Sequence, residues 1–277
     1  MRGLAEFCIC VTMAVGLISC GGGDSGGSGG GPSPTPQSLT ITPGTTILKV
    51  DQTEAFSGTV TLSNGQSQTV QPTWQSDNTT VLTFEGGAAR GRSNGTATII
   101  GTSQGLTATR LMRVATNYQG VWVGDYIIRG CDSSGDFRQA GFCNGEDGFF
   151  AGQVLEVAFD LTQDRDEVTG EMFLGGVEGT PRGRVEADGR FVGTGSLTVS
   201  DDGFVVAFTV NPVNVNADGN RMTGNFTVSV TAPGVSGQGL FTAEILTVGR
   251  VASGLAPTAT AGASRLDLTA FMRRLRR

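Results

Sequence analysis

Five cysteines, Cys8, Cys10, Cys20, Cys131 and Cys143, and no histidine set the chemical limits of this 277-residue chain. Without histidine the commonest general base and metal ligand is missing, and a Ser-His-Asp triad cannot be built. The densest carboxylate group is Asp160, Asp164, Asp166 and Glu167. It could hold Ca²⁺ weakly, but a solvated acidic turn is the simpler reading. The stretch 214–220 (NVNADGN) opens like a calcium loop, yet it has one carboxylate and Asn225 at the twelfth position. A calcium loop needs several acidic ligands and ends on Glu, so a hairpin is the better reading. Glycoside hydrolysis needs two carboxylates at a set separation in a cleft, and nothing marks such a pair. The expectation is a non-enzyme with no catalytic residue, no metal site and no cofactor.

The thiols carry the remaining chemistry. Residues 1–7 are short and carry Arg2, and residues 7–19 (FCICVTMAVGLIS) are apolar and uncharged. A bilayer span needs roughly 20 apolar residues, so this run has the length of a signal-peptide core. Leu17-Ile18-Ser19-Cys20, followed by Gly21, resembles the bacterial lipoprotein signal. The resemblance implies a diacylglyceryl group on the Cys20 thiol and cleavage that makes Cys20 the first residue. Gly21, where the Gram-negative inner-membrane signal has Asp, implies the outer membrane. Each buried CH₂ of such an anchor contributes about 0.8 kcal/mol, and several chains hold where one does not. On this reading Cys8 and Cys10 leave with the leader, and Cys131 and Cys143 remain. An even pair in an exported protein reads as a disulfide, stabilising by roughly 3 kcal/mol in the chain-entropy model. A cysteine-only metal site would need about four ligands.

The elements that position these groups are strands. Charged residues make up only 16% of the chain and there are 44 glycines, a composition suited to strands and tight turns over helices. Residues 20–37 form a Gly/Ser/Pro tether that cannot bury apolar surface. The net charge is −6. The end at residues 265–277 carries five Arg against one Asp, and the leader is neutral, so residues 20–264 carry −10. Such a body argues against nucleic acid as a partner.

Residues 38–115 hold short runs at strand spacing. Leu39 and Ile41 alternate with threonines, Phe56, Gly58, Val60 and Leu62 follow, and Ser63-Asn64-Gly65 marks a hairpin. The segments LTITPGTTILKVDQTEAFSGTVTLSNG, WQSDNTTVLTF and GRSNGTATIIGTSQG resemble the bacterial Ig-like group 2 domain. The resemblance implies a β-sandwich, most often a spacer in surface proteins, with Trp74 in its core. Gly91-Arg92-Ser93-Asn94 is shorter than the family's pattern, which leaves strand pairing over 88–93 open.

Residues 118–250 read as about eight strands of period two: 121–129, 155–161, 168–174, 182–187, 191–199, 204–210, 222–230 and 239–248. Asp188-Gly189, Asp202-Gly203 and Asp218-Gly219 separate successive runs as hairpin turns. EVTGEMFL and RMTGNFTV look like one phrase used twice. An antiparallel meander of this size can close into a barrel. It vaguely resembles small up-and-down barrels such as avidins and lipocalins, without their ligand-binding residues. The Cys131–Cys143 loop would sit at a mouth, and Phe137, Phe142, Phe149 and Phe150 would be exposed contact residues if it recognises a ligand. Residues 251–277 read as a loose tail whose basic amphipathic end could meet anionic lipid or an acidic partner.

The fold class is therefore all-β: an Ig-like sandwich at 38–115, then an eight-stranded antiparallel meander barrel at 118–250. The functional expectation is a lipid-anchored outer-membrane or surface protein, non-enzymatic, presenting a barrel that binds carbohydrate or protein. The alternative is a structural envelope lipoprotein with no small ligand.

Overall fold

The computed structural model describes residues 32–143, 148–251 and 267–277. Cys20 and the glycine-rich part of the tether lie outside the described residues. Among those described, no helix is long and apolar enough to cross a membrane.

The first domain is a set of short strands, antiparallel except for the parallel pair of β2 and β10. β1 (Pro36–Thr42), β4 (Ser57–Leu62) and β5 (Ser67–Val70) form one sheet, in the order β1-β4-β5. A second runs β2-β10-β9-β6, from β2 (Ile47–Lys49), β10 (Leu106–Ala115), β9 (Gly95–Ser103) and β6 (Thr73–Ser76). β3 (Thr53–Ala55), β8 (Ala88–Gly91) and β7 (Leu82–Glu85) make a third. The stretch left open by the shortened family pattern is β8, which pairs on both sides. Alternating side chains point inward, so Ile41, Leu48, Phe56, Leu82, Ile99, Met112 and Val114 form one core. Trp74 lies at its edge, half-buried, stacked on Phe84 at 5.2 Å and edge-on to Phe56 at 6.0 Å. Arg110 crosses the sandwich, its guanidinium donating to the carbonyls of Ile41, Pro43 and Thr45.

The second domain is a closed antiparallel barrel of eight strands in sequence order. They are β11 (Gly120–Ser133), β12 (Val154–Asp164), β13 (Glu167–Leu174), β14 (Val177–Val185), β15 (Phe191–Asp201), β16 (Phe204–Asp218), β17 (Arg221–Thr231) and β18 (Gly239–Arg250). β18 pairs back onto β11, so no edge is left open. The period-two pattern fills the inside: Trp122, Tyr126, Ile128, Leu155, Val157, Leu161, Val168 and Met172 are all buried. The repeated phrase has one structural role in both copies. Gly170 and Gly224 sit at φ +156° and +151°, and a Cβ there would lie 2.0 and 2.1 Å from the carbonyl oxygens of Asp160 and Asn214. Only glycine tolerates that backbone and that approach.

Two short helices sit at one end of the barrel. α1 (Gly135–Gln139) lies within the stapled loop, and α2 (Thr269–Leu275) comes from the chain's C-terminal segment. The basic end, expected to be frayed or to face lipid or a partner, instead buries Phe271, Met272 and Leu275 in the barrel's own core. A seven-residue helix is not stable alone; apolar burial against the barrel holds it.

Candidate functional site

A barrel offers a ligand three places: either mouth, the interior, and the outer wall. The mouth facing the Ig-like domain is shut by hydrogen bonds. Tyr118 is fully buried there. Its hydroxyl accepts from the backbone N–H groups of Phe191 (3.0 Å) and Ala217 (3.2 Å). Its single proton is shared between the carbonyls of Val215 (2.8 Å) and Gly189 (3.0 Å). Burial pushes the Tyr118 phenol up to about 12, partly offset by those two N–H donors. Trp122 donates its indole N–H to the Tyr118 carbonyl at 2.7 Å, and the Arg250 guanidinium lies 4.5 Å over the Trp122 ring.

The same end binds the first domain. The buried Gln163 side chain donates to the carbonyls of Thr116 (3.0 Å) and Arg165 (2.8 Å) and accepts from Tyr118 N–H (2.7 Å). Lys49 donates to the Gln163 carbonyl (2.8 Å) and the Gln119 side chain (2.6 Å). Arg113 pairs with Asp166 at 3.3 Å and donates to the Val185 carbonyl, and Asn94 donates to the Ala187 carbonyl at 3.1 Å. Thus Asp166, one of the suspected calcium ligands, is a junction residue. Its neighbour Glu167 pairs with Arg184 at 3.0 Å.

The opposite mouth is shut by rings. Cys131 and Cys143 form the expected disulfide, with Cα atoms 5.7 Å apart. The stapled loop turns its aromatics inward, not outward. Phe137, Phe142 and Phe149 are buried, and of the four residues expected on the surface only Phe150 is exposed, at 47%. The cause is the apolar mouth beneath them. Phe142 packs on Phe149 at 4.9 Å, and Phe149 stacks on Phe241 at 4.7 Å. Phe271 of α2 covers Phe142 at 5.7 Å and Phe137 at 6.2 Å. Gly239 makes room: a Cβ there would lie 2.4 Å from the Phe142 ring. Arg276 fastens α2 at the rim, 3.2 Å from Asp201 and 5.1 Å over the Phe204 ring. Arg274 donates to the Ala140 carbonyl at 2.9 Å.

Between the two closures the described side chains pack into one apolar core. Among the described residues, a void bordered by Tyr126, Phe149, Leu174, Leu197, Phe208 and Phe241 measures about 10 Å³, room for about one water molecule. The Tyr126 hydroxyl is buried with no hydrogen-bond partner among the described residues, and burial pushes its ionisation far above the ordinary tyrosine value. The roles of Tyr118, Gln163 and Phe271 were not singled out from the sequence. Tyr118 lies just ahead of the alternating run 121–129 that marked the first barrel strand.

Residues 36–122 match the bacterial Ig-like domain (group 2) family. The comparison with curated proteins gives no match. Among solved structures, the chain is similar to domains 5–6 of the S-layer protein SbsC. The identity is 14%, over 76% of this chain and 98% of that one, with a TM-score of 0.28. A score that low supports no transfer of fold or function. The Ig-like match by itself suggests a cell-surface protein.

Proposed function

We propose that this chain is a lipid-anchored, non-enzymatic protein of the outer membrane, in which an Ig-like domain carries a closed β-barrel as one stiff body. Acylated Cys20 is the anchor, and residues 21–35 are the tether. The observation that carries the reading of the barrel is the closure of both mouths over a packed apolar core, with a void of about 10 Å³ beside Tyr126. Such a barrel is a poor carrier of small molecules, so any partner meets its outside. The junction supports the stiff-body part, since half-buried hydrogen bonds from Lys49 and Arg113 and an exposed one from Asn94 tie the sandwich to the barrel rim. The interior also favours a structural barrel over a lipocalin-like one.

Mass spectrometry of the protein purified from its native membrane tests the anchor. The expected product begins at Cys20 and carries lipid. An unmodified Cys20 or a retained leader would overturn it. Protease treatment of intact cells tests the exposure, and the expected result is loss of the barrel from the cell surface.

A further inference from the structure

We propose that the outer wall of the barrel binds an extended, neutral, hydroxyl-rich glycan in a groove across β13–β16, a proposal that rests on the cell-surface reading above. The outside of a small barrel is ordinarily convex. Here it is dented by a cleft of about 610 Å³ rimmed by Thr169, Thr180, Arg182, Thr194, Ser196 and Thr209. The floor is Gly170, Pro181 and Gly195, none with a long side chain. Thr169 pairs with Arg182 and Met172 with Gly179, but the ladder lapses between them, opposite Pro181. Proline has no N–H to give to that ladder.

The registers align the hydroxyls into two rows. Thr162, Thr169, Arg182 and Thr194 lie opposite one another on four successive strands. Thr180, Ser196, Thr209 and Ser229 do the same on the next four, starting from β14. Elsewhere on the wall long charged pairs cover the sheet, as with Arg129 and Glu244 at 2.8 Å and Arg184 and Glu167 at 3.0 Å. Arg182 has no ion pair or hydrogen bond among the described residues.

Hydroxyls both donate and accept, and a guanidinium presents a fork of donors. That set matches the paired hydroxyls and ring oxygens of a sugar chain. The groove has almost no apolar side chain for a hydrophobic partner. Glu171, beside Thr180 in the register, opposes an acidic polymer. With no aromatic platform one site binds weakly, and many copies on one membrane gain by avidity.

The test is retention of the purified full chain on beads of cellulose, chitin and amylopectin, with heparin beads as the acidic control. The wild type is expected to be held by at least one neutral glycan. Arg182→Ala and the groove-filling Ser196→Phe should each lose about tenfold in affinity, with unchanged melting. Arg129→Ala, elsewhere on the wall, should bind like the wild type. No retention on any neutral glycan, preference for heparin, or retention of the two groove variants equal to that of the wild type would overturn the groove. None of these results touches the mass of the Cys20 peptide, so the envelope reading fails or stands separately.

Discussion

The two mouths of the barrel are closed by opposite means. At the Ig-like end a single hydroxyl, on Tyr118, takes up four backbone groups, and Gln163, Arg113 and Lys49 add directional bonds across the junction. At the far end Phe137, Phe142, Phe149 and Phe271 close the hole by area, with a disulfide and one helix to hold them. Hydrogen bonds fix orientation, which is what a joint between two domains needs. Aromatic burial is non-directional and roughly proportional to area, which suits a cap that needs only to stay dry. The difference predicts which changes loosen the molecule and which merely cost stability.

The largest effect is expected at the aromatic cap. Phe142 is fully buried among three rings and against Gly239. Phe142→Ala should cost about 3–5 kcal/mol, read by urea unfolding, while the junction stays intact. Next, replacing Cys131 and Cys143 together by serine removes a bridge with a sequence separation of 12, and should cost about 3 kcal/mol. If the cap works by area, the reduced barrel still folds and α2 stays docked. If α2 instead becomes protease-sensitive in the serine variant at temperatures where the barrel is folded, the staple and not the rings holds the cap.

The junction gives a smaller but more specific effect. Tyr118→Phe leaves two buried N–H groups and two carbonyls short of a partner, costing roughly 1–3 kcal/mol. It should also increase the motion between the domains, seen as a broader distance distribution between spin labels on β5 and β15. The same phenol makes an alkaline prediction. The folded value is raised, so the folded state keeps the proton more tightly than the unfolded state. That stability is complete below the ordinary value of 10.0 and is lost as the pH rises through about 12. The chain has only two tyrosines, and both are buried in the barrel. Tyrosinate absorbance should therefore appear only as the barrel's circular dichroism disappears. A tyrosinate signal near the ordinary value, with the fold intact, would contradict the closed mouth.

Much of this architecture was legible in the chain. Alternation placed Trp122, Tyr126, Leu155 and Met172 inside, Asp-Gly pairs marked hairpins, and the repeated phrase in EVTGEMFL and RMTGNFTV marked two strands whose glycines prove indispensable. The Ig-like segment was readable because a family pattern reinforced weak local signals. The cap was not readable. Phe137, Phe142 and Phe149 lie in a stretch rich in Gly, Asp and Ser, which reads as a surface loop, and what buries them is a helix more than a hundred residues later. No local period announces such a contact. The basic tail misled in the same way: its arginines mark the rim contacts with Asp201 and the Ala140 carbonyl, while its apolar residues face this barrel and not a membrane. The Tyr118 network was equally hidden, since its four partners come from the turn before β15, the start of β15 and the far end of β16.

The smallest expected effect makes the sharpest comparison, because it asks the same substitution of a second tyrosine. Tyr126 stands on β11 two turns of the pleat past Trp122, as buried as Tyr118, but its hydroxyl has no hydrogen-bond partner among the described residues and its side chain borders a void of about 10 Å³. A buried hydroxyl that gains no partner keeps its desolvation cost, roughly 1–3 kcal/mol. Tyr126→Phe removes that cost and leaves a cavity larger by about one oxygen atom, a penalty of only a few tenths of a kcal/mol at about 24 cal/mol per Å³. The expected result is a barrel unchanged or more stable by about 1 kcal/mol, against a clear loss for Tyr118→Phe. The ring contact with Phe226, 5.2 Å away and edge-on, is kept in both proteins and so does not enter the difference. A loss of more than about 1 kcal/mol at Tyr126 would mean that a guest in the void satisfies the hydroxyl, and the interior would then have to be treated as a site.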